Sequence, residues 1–138
     1  MNILFLCVAN SARSQIAEGL ARHLLGDLAR VESAGSCPSQ VNPWAVRVLR
    51  DRGIDISRQY SKRVDQLDVD FLRGLDYVIT LCAEEVCPVY LSEAKKLHWP
   101  QPDPAGVKGT EAEQLAAFQR TRDSLEQALQ NFKNTFLS

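Results

Sequence analysis

Short apolar runs alternate along the chain with longer segments in which apolar residues recur at helical spacing. The runs predict four β-strands, at residues 2–6, 31–34, 77–81 and 95–99. The helical spacing predicts four helices, at residues 15–25, 43–53, 64–74 and from 110 onward. Strands that alternate with helices favour βαβ crossovers, in which the strands run parallel. We therefore predict an α/β fold: a single domain over residues 1–138, with a four-stranded parallel sheet and helices on both faces.

Two features mark the C-terminal part of the chain. Three prolines within residues 100–106 exclude regular structure there, because proline lacks an amide donor and has a fixed backbone torsion. Thr110 with Glu113 resembles a capping box at the start of the last helix. That helix carries an apolar stripe, which we assign to the core and to no function: Leu115, Phe118, Leu125, Leu129, Phe132 and Phe136.

Composition narrows the class of protein. The chain has 138 residues, 45% apolar and 24% charged, with a net charge of −1, which gives no basis for a general binder of nucleic acid or membrane surfaces. It has no apolar run of membrane-spanning length and no basic, apolar, cleavable leader, so we expect a cytoplasmic protein. The four cysteines and two histidines lack the spacing of a metal site. We expect no metal, no bound cofactor and a monomer.

The stretch between the first strand and the first helix carries a recognisable chemistry. Cys7 ends the strand, Arg13 opens the helix, and small or polar residues separate them. Amides and the dipole at a helix start attract anions and favour a thiolate, and an arginine fork grips an oxyanion with two hydrogen bonds. A cysteine at a strand end is more often a small buried hydrophobe, but the arginine followed by a serine favours a nucleophile. The predicted oxyanion-binding residues are Val8, Ala9, Asn10, Ser11, Ala12, Arg13 and Ser14.

Cys82, Cys87 and Asp103 are the next candidates. Cys82 ends the third strand, and ligands of open α/β sheets bind beyond the carboxyl ends of the strands, so Cys82 should face the same crevice as Cys7. Cys87 follows in a loop with two glutamates and a proline, which suits an accessible resolving thiol; two structural thiols are the alternative. Asp103 lies between two prolines, where it is either a turn residue or a general acid aimed at the site.

Three more residues belong to loops near the predicted crevice. Cys37 follows the second strand, and we interpret it as a bystander. Lys62 contributes positive potential beside the anion site, whereas Arg63 is assigned to a solvated loop.

These segments together resemble the low-molecular-weight tyrosine phosphatase superfamily and, within it, the thioredoxin-coupled arsenate reductases. The resemblance covers almost the whole chain; besides the loop at 7–14 it includes Glu32-Ser33-Ala34-Gly35, Asn42-Pro43, Gly53-Ile54-Asp55-Ile56-Ser57, His98-Trp99 and Phe118-Gln119-Arg120-Thr121-Arg122-Asp123. Two segments favour the arsenate reductases, Thr80-Leu81-Cys82 with Cys87-Pro88, and Asp103-Pro104-Ala105-Gly106. Phosphatases of this fold ordinarily have no cysteine pair at the first and commonly have a tyrosine soon after the Asp-Pro step.

The resemblance implies a relay of three cysteines. Cys7 attacks arsenate held by the loop amides and Arg13, while Asp103 assists the loss of water. Cys82 then attacks Cys7, arsenite leaves, and a Cys7–Cys82 disulfide forms. Cys87 attacks Cys82 and leaves a redox-active Cys82–Cys87 disulfide, which thioredoxin reduces; glutaredoxin with glutathione is the alternative electron donor.

The same resemblance assigns supporting roles and shows three departures. It implies that Asn10 organises the loop and that Ser14 hydrogen-bonds the nucleophilic sulfur. Ala12 stands where many relatives have a second cysteine, and the gap between the two later cysteines is shorter than in the best-known members. Lys62 follows Ser61 where potassium-binding relatives have an aspartate. We therefore expect the lysine ammonium group to take the cation's place and the activity to be independent of potassium.

Three functions are open as hypotheses. Arsenate reduction through the cysteine relay is the first. The second is hydrolysis of aryl phosphates by Cys7, Arg13 and Asp103, as in a low-molecular-weight tyrosine phosphatase, and it can coexist with the first. A non-catalytic redox or anion sensor is the third, and it would not need an acid at position 103.

Overall fold

The computed structural model describes residues 1–83, 90 and 92–137. Its strands are β1 (Asn2–Cys7), β2 (Arg30–Gly35), β3 (Tyr77–Cys82) and β4 (Lys95–Gln101). Its α-helices are α1 (Arg13–Leu25), α2 (Pro43–Arg50), α3 (Val69–Arg73) and α4 (Glu111–Phe136). Short 3-10 turns cover Gly26–Leu28, Val64–Gln66 and Pro104–Gly106.

The four strands form one parallel sheet in the order β2-β1-β3-β4, which confirms the predicted α/β fold. β1 lies inside the sheet, where Leu6 is paired with Ala34 of β2 and with Thr80 of β3. Because the strands are parallel, their carboxyl ends meet at one edge, and β1 and β3 end there at Cys7 and Cys82. The fold therefore places both cysteines at the edge where ligands of such sheets bind.

Helices cover both faces of the sheet, as predicted. On one face Phe5 and Ile79 pack with apolar residues of α1, α2 and α4 in the larger core cluster. On the opposite face Leu4 and Val78 pack with Phe71 of α3. Successive residues of each central strand thus enter different cores, because side chains alternate along a strand.

The expectation of irregular structure over residues 100–106 is wrong at both ends. β4 continues through Pro100 to Gln101, and Pro104–Gly106 form a 3-10 turn. β4 is an edge strand, where a proline can be placed without removing a ladder hydrogen bond. The pairing with β3 also shifts between His98 and Gln101, so the strand bulges around the proline.

The helix predicted over residues 64–74 is divided into two shorter elements, the 3-10 turn Val64–Gln66 and helix α3. Asp68 starts α3 as its N-cap, with a side chain that accepts a hydrogen bond from the amide of Asp70 at 3.2 Å. An N-cap residue has non-helical backbone torsions, so it interrupts a helix wherever it caps one. The weak apolar periodicity of this segment did not predict the interruption at Asp68.

Helix α4 begins as predicted, with the reciprocal capping box of Thr110 and Glu113. Its apolar stripe packs into or against the core except at the last member, Phe136, which is 48% exposed. The Phe136 ring nevertheless contacts the rings of Tyr77 and Phe132. Within the described residues, none of the helices combines the length and the apolar character needed to cross a membrane.

Candidate active site

The loop between β1 and α1 is held against the segment that follows β2. The carbonyl groups of Val8, Ala9 and Ser11 accept backbone hydrogen bonds of 2.9, 3.1 and 3.0 Å from the amides of residues 37, 39 and 42. In a trans peptide the amide points away from the preceding carbonyl. The amides of residues 9, 10 and 12 are therefore turned away from the outer segment, and they supply the donors that an anion cradle requires.

Gly35, the last residue of β2, allows the loop to approach this closely. A Cβ atom at Gly35 would overlap the carbonyl oxygen of Val8 and would lie 3.0 Å from the amide nitrogen of Asn10. The amide of Gly35 in turn donates to the carbonyl of Lys62 at 2.9 Å. The end of β2 thus contacts the loop through backbone alone, which is the use of glycine in close packing.

Asn10 fixes the loop from the inside. It is fully buried and has a φ of 48°, in the left-handed region that asparagine tolerates better than most residues. Its Nδ2 donates to the hydroxyl oxygens of Ser14 and Ser33 at 2.7 and 3.0 Å. Its Oδ1 accepts from the amide of Lys62 and from Nε2 of Gln15, both at 3.0 Å. Both hydrogens of the amide and its oxygen are used, so only one orientation of the side chain satisfies its neighbours.

Cys7 is buried, and its sulfur lies 2.8 Å from the hydroxyl oxygen of Ser14. A thiolate can only accept a hydrogen bond, so when Cys7 is ionised the Ser14 hydroxyl donates to its sulfur. Helix α1 begins at Arg13, and its N-cap residue Ala12 has no polar side chain to occupy the first amides. The hydrogen bond and the helix dipole both favour a thiolate, which is the nucleophilic form of cysteine.

Arg13 connects the cradle to the edge strand. It is 5% exposed, and its Nη1 donates to the carbonyl of Gln101 at the end of β4 at 3.0 Å. Two residues later Asp103 caps the last 3-10 turn, where its Oδ1 accepts from the amide of Ala105 at 3.0 Å. Asp103 is half-buried and lines a cavity of about 320 Å³ together with Gln101 and Arg120. The structure thus places the segment that contains Asp103, the predicted acid, next to Arg13 of the cradle.

The cysteines of the predicted relay differ in their state. Cys7 is a free thiol, Cys82 is disulfide-bonded and buried, and Cys87 lies outside the described residues. Leu81 belongs to the same core face as Phe5, two residues before Cys7 in β1. Strand alternation therefore places Cys82 on the opposite face of the sheet from Cys7. Both cysteines stand at the carboxyl ends of neighbouring strands.

The three loop residues near the predicted crevice have different environments; they are Cys37, Lys62 and Arg63. Cys37 is an exposed free thiol, and its backbone amide donates to the carbonyl of Val8. Arg63 is solvated as predicted, with a 53% exposed side chain that pairs with Asp65. Lys62 is buried, and its Nζ lies 3.6 Å from Oε1 of Glu18. The lysine is therefore part of the interior beneath the loop and not of the solvated surface.

Three buried polar residues around the loop were not singled out by sequence reasoning: Gln15, Glu18 and Ser33. Ser33 donates to Oε1 of Glu18 at 2.7 Å, and Gln15 donates to Asn10. A signal existed for Glu18, because it follows Ser14 by one helical turn and so lies on the helix face that carries the loop. Ser33 had no such signal, since its contact depends on the pairing of β2 with β1.

The fold and the site match a known protein family. The sequence profile of the low molecular weight phosphotyrosine protein phosphatase family matches residues 2–137. The chain belongs to this family. The resemblance drawn from its motifs is thereby confirmed.

The relatives of this phosphatase-family chain include arsenate reductases. The arsenate reductase of Bacillus licheniformis is 47% identical over 135 residues, which cover 96% of this chain and 95% of that protein. A solved structure described as an arsenate reductase in the phosphate binding state is 32% identical, with a TM-score of 0.77 and 95% of each chain covered. The thioredoxin-dependent arsenate reductase of Corynebacterium glutamicum is 32% identical, with a TM-score of 0.64 over 95% of this chain and 62% of that one.

In this member of the phosphotyrosine protein phosphatase family, the loop combines three chemical capacities. Its amides and Arg13 can hold a tetrahedral oxyanion, Ser14 supports a thiolate, and the thiolate of Cys7 can attack the bound centre. Phosphate and arsenate have the same shape and charge, so these groups alone do not choose between them. The choice depends on the residues that act after the attack.

Proposed function

We propose that this protein reduces arsenate to arsenite through a covalent adduct on Cys7. The observation that carries the proposal is the position of Cys82 at the carboxyl end of the strand next to Cys7. Hydrolysis of a phosphoester needs one thiol. Reduction of arsenate needs a second thiol, because the two electrons that arsenic gains come from two thiols that become a disulfide. The arsenate reductases among the relatives support the same choice.

The first step forms the adduct. The Cys7 thiolate attacks arsenic, one arsenic–oxygen bond breaks, and the oxygen leaves as water with a proton from Asp103. The loop amides and Arg13 neutralise the charge on the remaining oxygens. Arsenic is still in its +5 state, and no electrons have been transferred.

The second step is the reduction. The Cys82 thiolate attacks the Cys7 sulfur, the sulfur–arsenic bond breaks, and its electron pair remains on arsenic, which leaves as arsenite in the +3 state. The two sulfurs form a disulfide and have together lost two electrons. Because Cys82 lies on the opposite face of the sheet, the end of β3 must change conformation for this step.

The third step restores the nucleophile. The Cys87 thiolate attacks Cys82, which releases the Cys7 thiolate and leaves a Cys82–Cys87 disulfide. A reduced dithiol protein then returns two electrons and two protons to this disulfide. We propose thioredoxin as that donor, in line with the relative from Corynebacterium glutamicum, and no bound cofactor is needed.

The proposal is tested by the substitution Cys82→Ser. Turnover is followed as arsenate-dependent oxidation of NADPH with thioredoxin and thioredoxin reductase, in parallel with glutathione and glutaredoxin. We expect wild-type turnover with the thioredoxin system and none in the variant beyond the first covalent step, while the variant keeps hydrolysis of an aryl phosphate. Multiple turnovers of arsenate by Cys82→Ser would overturn the relay.

Hydrolysis of aryl phosphates is the second candidate function, and the family match favours it. Cys7, Arg13 and Asp103 are the three groups this chemistry requires: nucleophile, anion-binding group and acid. Water would then attack the phosphorus of the cysteinyl phosphate, the sulfur–phosphorus bond would break, and inorganic phosphate would leave with Cys7 restored as a thiolate. A protein that hydrolyses aryl phosphates and shows no arsenate-dependent NADPH oxidation with either donor would be a phosphatase alone.

A further inference from the structure

A buried lysine lies beneath the active-site loop. The Lys62 side chain is 4% exposed, and its Nζ is 3.6 Å from Oε1 of Glu18 and 3.9 Å from Oε2 of Glu32. The same nitrogen donates to the carbonyl of Tyr60 at 3.3 Å and lies 4.9 Å from the centre of the Tyr60 ring. The ammonium group is thus enclosed between two carboxylates and one aromatic face.

Glu18 is the more deeply buried of the two carboxylates, with a side chain that is 3% exposed. Its second oxygen pairs with Nε of Arg22 at 3.3 Å, but the Arg22 side chain is 51% exposed and reaches Glu18 from the solvent side. Glu18, Arg22 and Lys62 line a cavity of about 310 Å³ together with Asp55 and Arg58. A buried carboxylate needs paired charge, and Lys62 is the buried one of the two cations that pair with Glu18.

The charge of Glu18 is connected to the nucleophile by directed hydrogen bonds. Ser33 donates to Glu18, which leaves the Ser33 oxygen free to accept from Nδ2 of Asn10. The other hydrogen of the same Nδ2 goes to Ser14, whose hydroxyl lies 2.8 Å from the Cys7 sulfur and donates to it when Cys7 is a thiolate.

Lys62 acts on this series at two points. Its ammonium group pairs with the Glu18 oxygen that accepts from Ser33 and so holds this acceptor in place. Its backbone amide donates to Oδ1 of Asn10 at 3.0 Å, which fixes the opposite end of the asparagine amide. A substitution at position 62 leaves the backbone amide in place and removes the ammonium group. The effect of the ammonium group on Glu18 can therefore be tested by itself.

We propose that Lys62 is a positioning residue for the nucleophile: its ammonium group holds Glu18, Ser33 and Asn10 so that Ser14 donates to the Cys7 thiolate. The proposal rests on the proposed function only in taking Cys7 as the nucleophile. It concerns the reactivity of a thiol and does not depend on which oxyanion that thiol attacks.

The test measures the rate of alkylation of Cys7 by iodoacetamide as a function of pH, with the labelled cysteine identified by mass spectrometry. Lys62→Met should move the midpoint of this profile upward by about one pH unit, because a hydrogen bond that favours the thiolate is weakened. Lys62→Arg keeps the cation and should stay closer to wild type. Arg63→Met removes the next cation along the chain, which is solvated, and should leave the profile unchanged.

A double variant separates positioning from folding. In Lys62→Met/Glu18→Gln the glutamine oxygen can accept from Ser33 without any charge to neutralise, so the midpoint should return to within a few tenths of a unit of wild type. A folded Lys62→Met protein with the wild-type profile would overturn the proposal, and so would a folded double variant that remains shifted. If Lys62→Met does not fold, Lys62→Gln takes its place, and a folded Lys62→Gln protein with the wild-type profile would equally overturn the proposal.

The readout also separates this inference from the proposed function. Alkylation uses neither arsenate nor an electron donor, so a protein that fails to reduce arsenate can still show the predicted shift. Conversely, normal arsenate reduction with an unshifted Lys62→Met profile would leave the proposed function intact and remove the role of Lys62.

Discussion

The Cys7 sulfur lies 2.8 Å from the Ser14 hydroxyl oxygen, which itself accepts a 2.7 Å hydrogen bond from Asn10. The asparagine holds the serine hydroxyl beside the sulfur, and the serine donates to the sulfur when Cys7 is a thiolate. A nucleophile of this kind is activated by hydrogen bonding to its charged form and by the start of helix α1.

Ser14→Ala should slow the reaction of Cys7 and leave the fold intact. A hydrogen bond to a charged group contributes about 1.5–3 kcal/mol, which corresponds to a loss of about 10- to 100-fold in kcat/KM near neutral pH. The measurement is the rate of aryl phosphate hydrolysis or of arsenate-dependent NADPH oxidation. Ser39→Ala, an exposed serine of the outer segment, is the matched control; equal losses in both variants would contradict the assignment to Ser14.

The apolar pattern predicted the sheet because each central strand is a buried run bounded by polar residues. β1 and β3 extend only one residue beyond the predicted ends, at Cys7 and Cys82. The extension of β4 through Pro100 was not predictable from the same pattern, since a proline is compatible with a strand only at an edge. Edge position follows from the order of the strands, which no local pattern contains.

The candidate site was predictable where its parts are local in sequence. The loop from Cys7 to Ser14 is one continuous stretch, and the start of α1 at Arg13 follows from the helical spacing after it. The burial of Lys62 was not predictable, because its partner Glu18 lies on a helix far away in the chain and a basic loop is usually solvated. Its neighbour Arg63 has that usual environment.

Gly35→Ala should disrupt the oxyanion cradle. The added Cβ would overlap the carbonyl of Val8 and crowd the amide of Asn10, and neither is a flexible side chain that can move aside. We expect the affinity for inorganic phosphate to fall by more than tenfold and the free energy of unfolding to fall by about 1–3 kcal/mol. Calorimetric titration and urea unfolding measure these two quantities.

Gly106→Ala is the control for Gly35, because a Cβ at Gly106 would meet no atom within 4 Å. The free energy of unfolding of this variant should change little or rise slightly, since alanine reduces the freedom of the unfolded chain. A Gly35→Ala protein that binds phosphate as well as the Gly106→Ala protein would show that the loop does not depend on the close approach of β2.

Asp103→Asn should lower the rate of the step in which the leaving-group oxygen departs. General acid catalysis typically contributes about 10²- to 10⁴-fold, and it contributes more when the leaving group is a poor one. Hydrolysis of phenyl phosphate should therefore fall more than hydrolysis of p-nitrophenyl phosphate, in which the leaving group needs less protonation. Asp65→Asn, an exposed aspartate paired with Arg63, is the control; equal losses for the two substrates would exclude Asp103 as the acid.

Replacing sodium by potassium at constant ionic strength should not change the activity of the wild-type protein. The Lys62 ammonium group already lies between Glu18 and Glu32 and contacts the carbonyl of Tyr60, which are the oxygens that a monovalent cation would use. The measurement is the initial rate of oxyanion turnover in NaCl and in KCl. A rate that rises with potassium in the wild-type protein would contradict replacement of the cation by Lys62.

Asp123→Asn should destabilise the fold at neutral pH and not at acidic pH. Partial burial opposes ionisation of this carboxyl, but the hydrogen bonds from Arg122 and Arg52 and the charges of both arginines outweigh burial and hold the pKa of Asp123 below its usual 3.8. Because the native pKa is lowered, the ionised carboxylate stabilises the fold above the unfolded pKa, and this contribution disappears as the pH falls through the native value. The Asp123 side chain is 53% exposed, so solvent screening limits the effect at pH 7 to less than about 1 kcal/mol.

Urea unfolding of wild type and Asp123→Asn at pH values from 7 down to about 3 checks both the sign and the window of this effect. The difference in free energy of unfolding should be constant near neutral pH and should decrease only below the ordinary carboxyl pKa of 3.8. Arg52→Gln should show a similar, smaller loss with the same pH dependence, because Arg122 still donates to the carboxylate at 2.9 Å. A difference that persists unchanged at the acidic end would mean that the asparagine alters packing on α4 and that the charge of Asp123 contributes nothing.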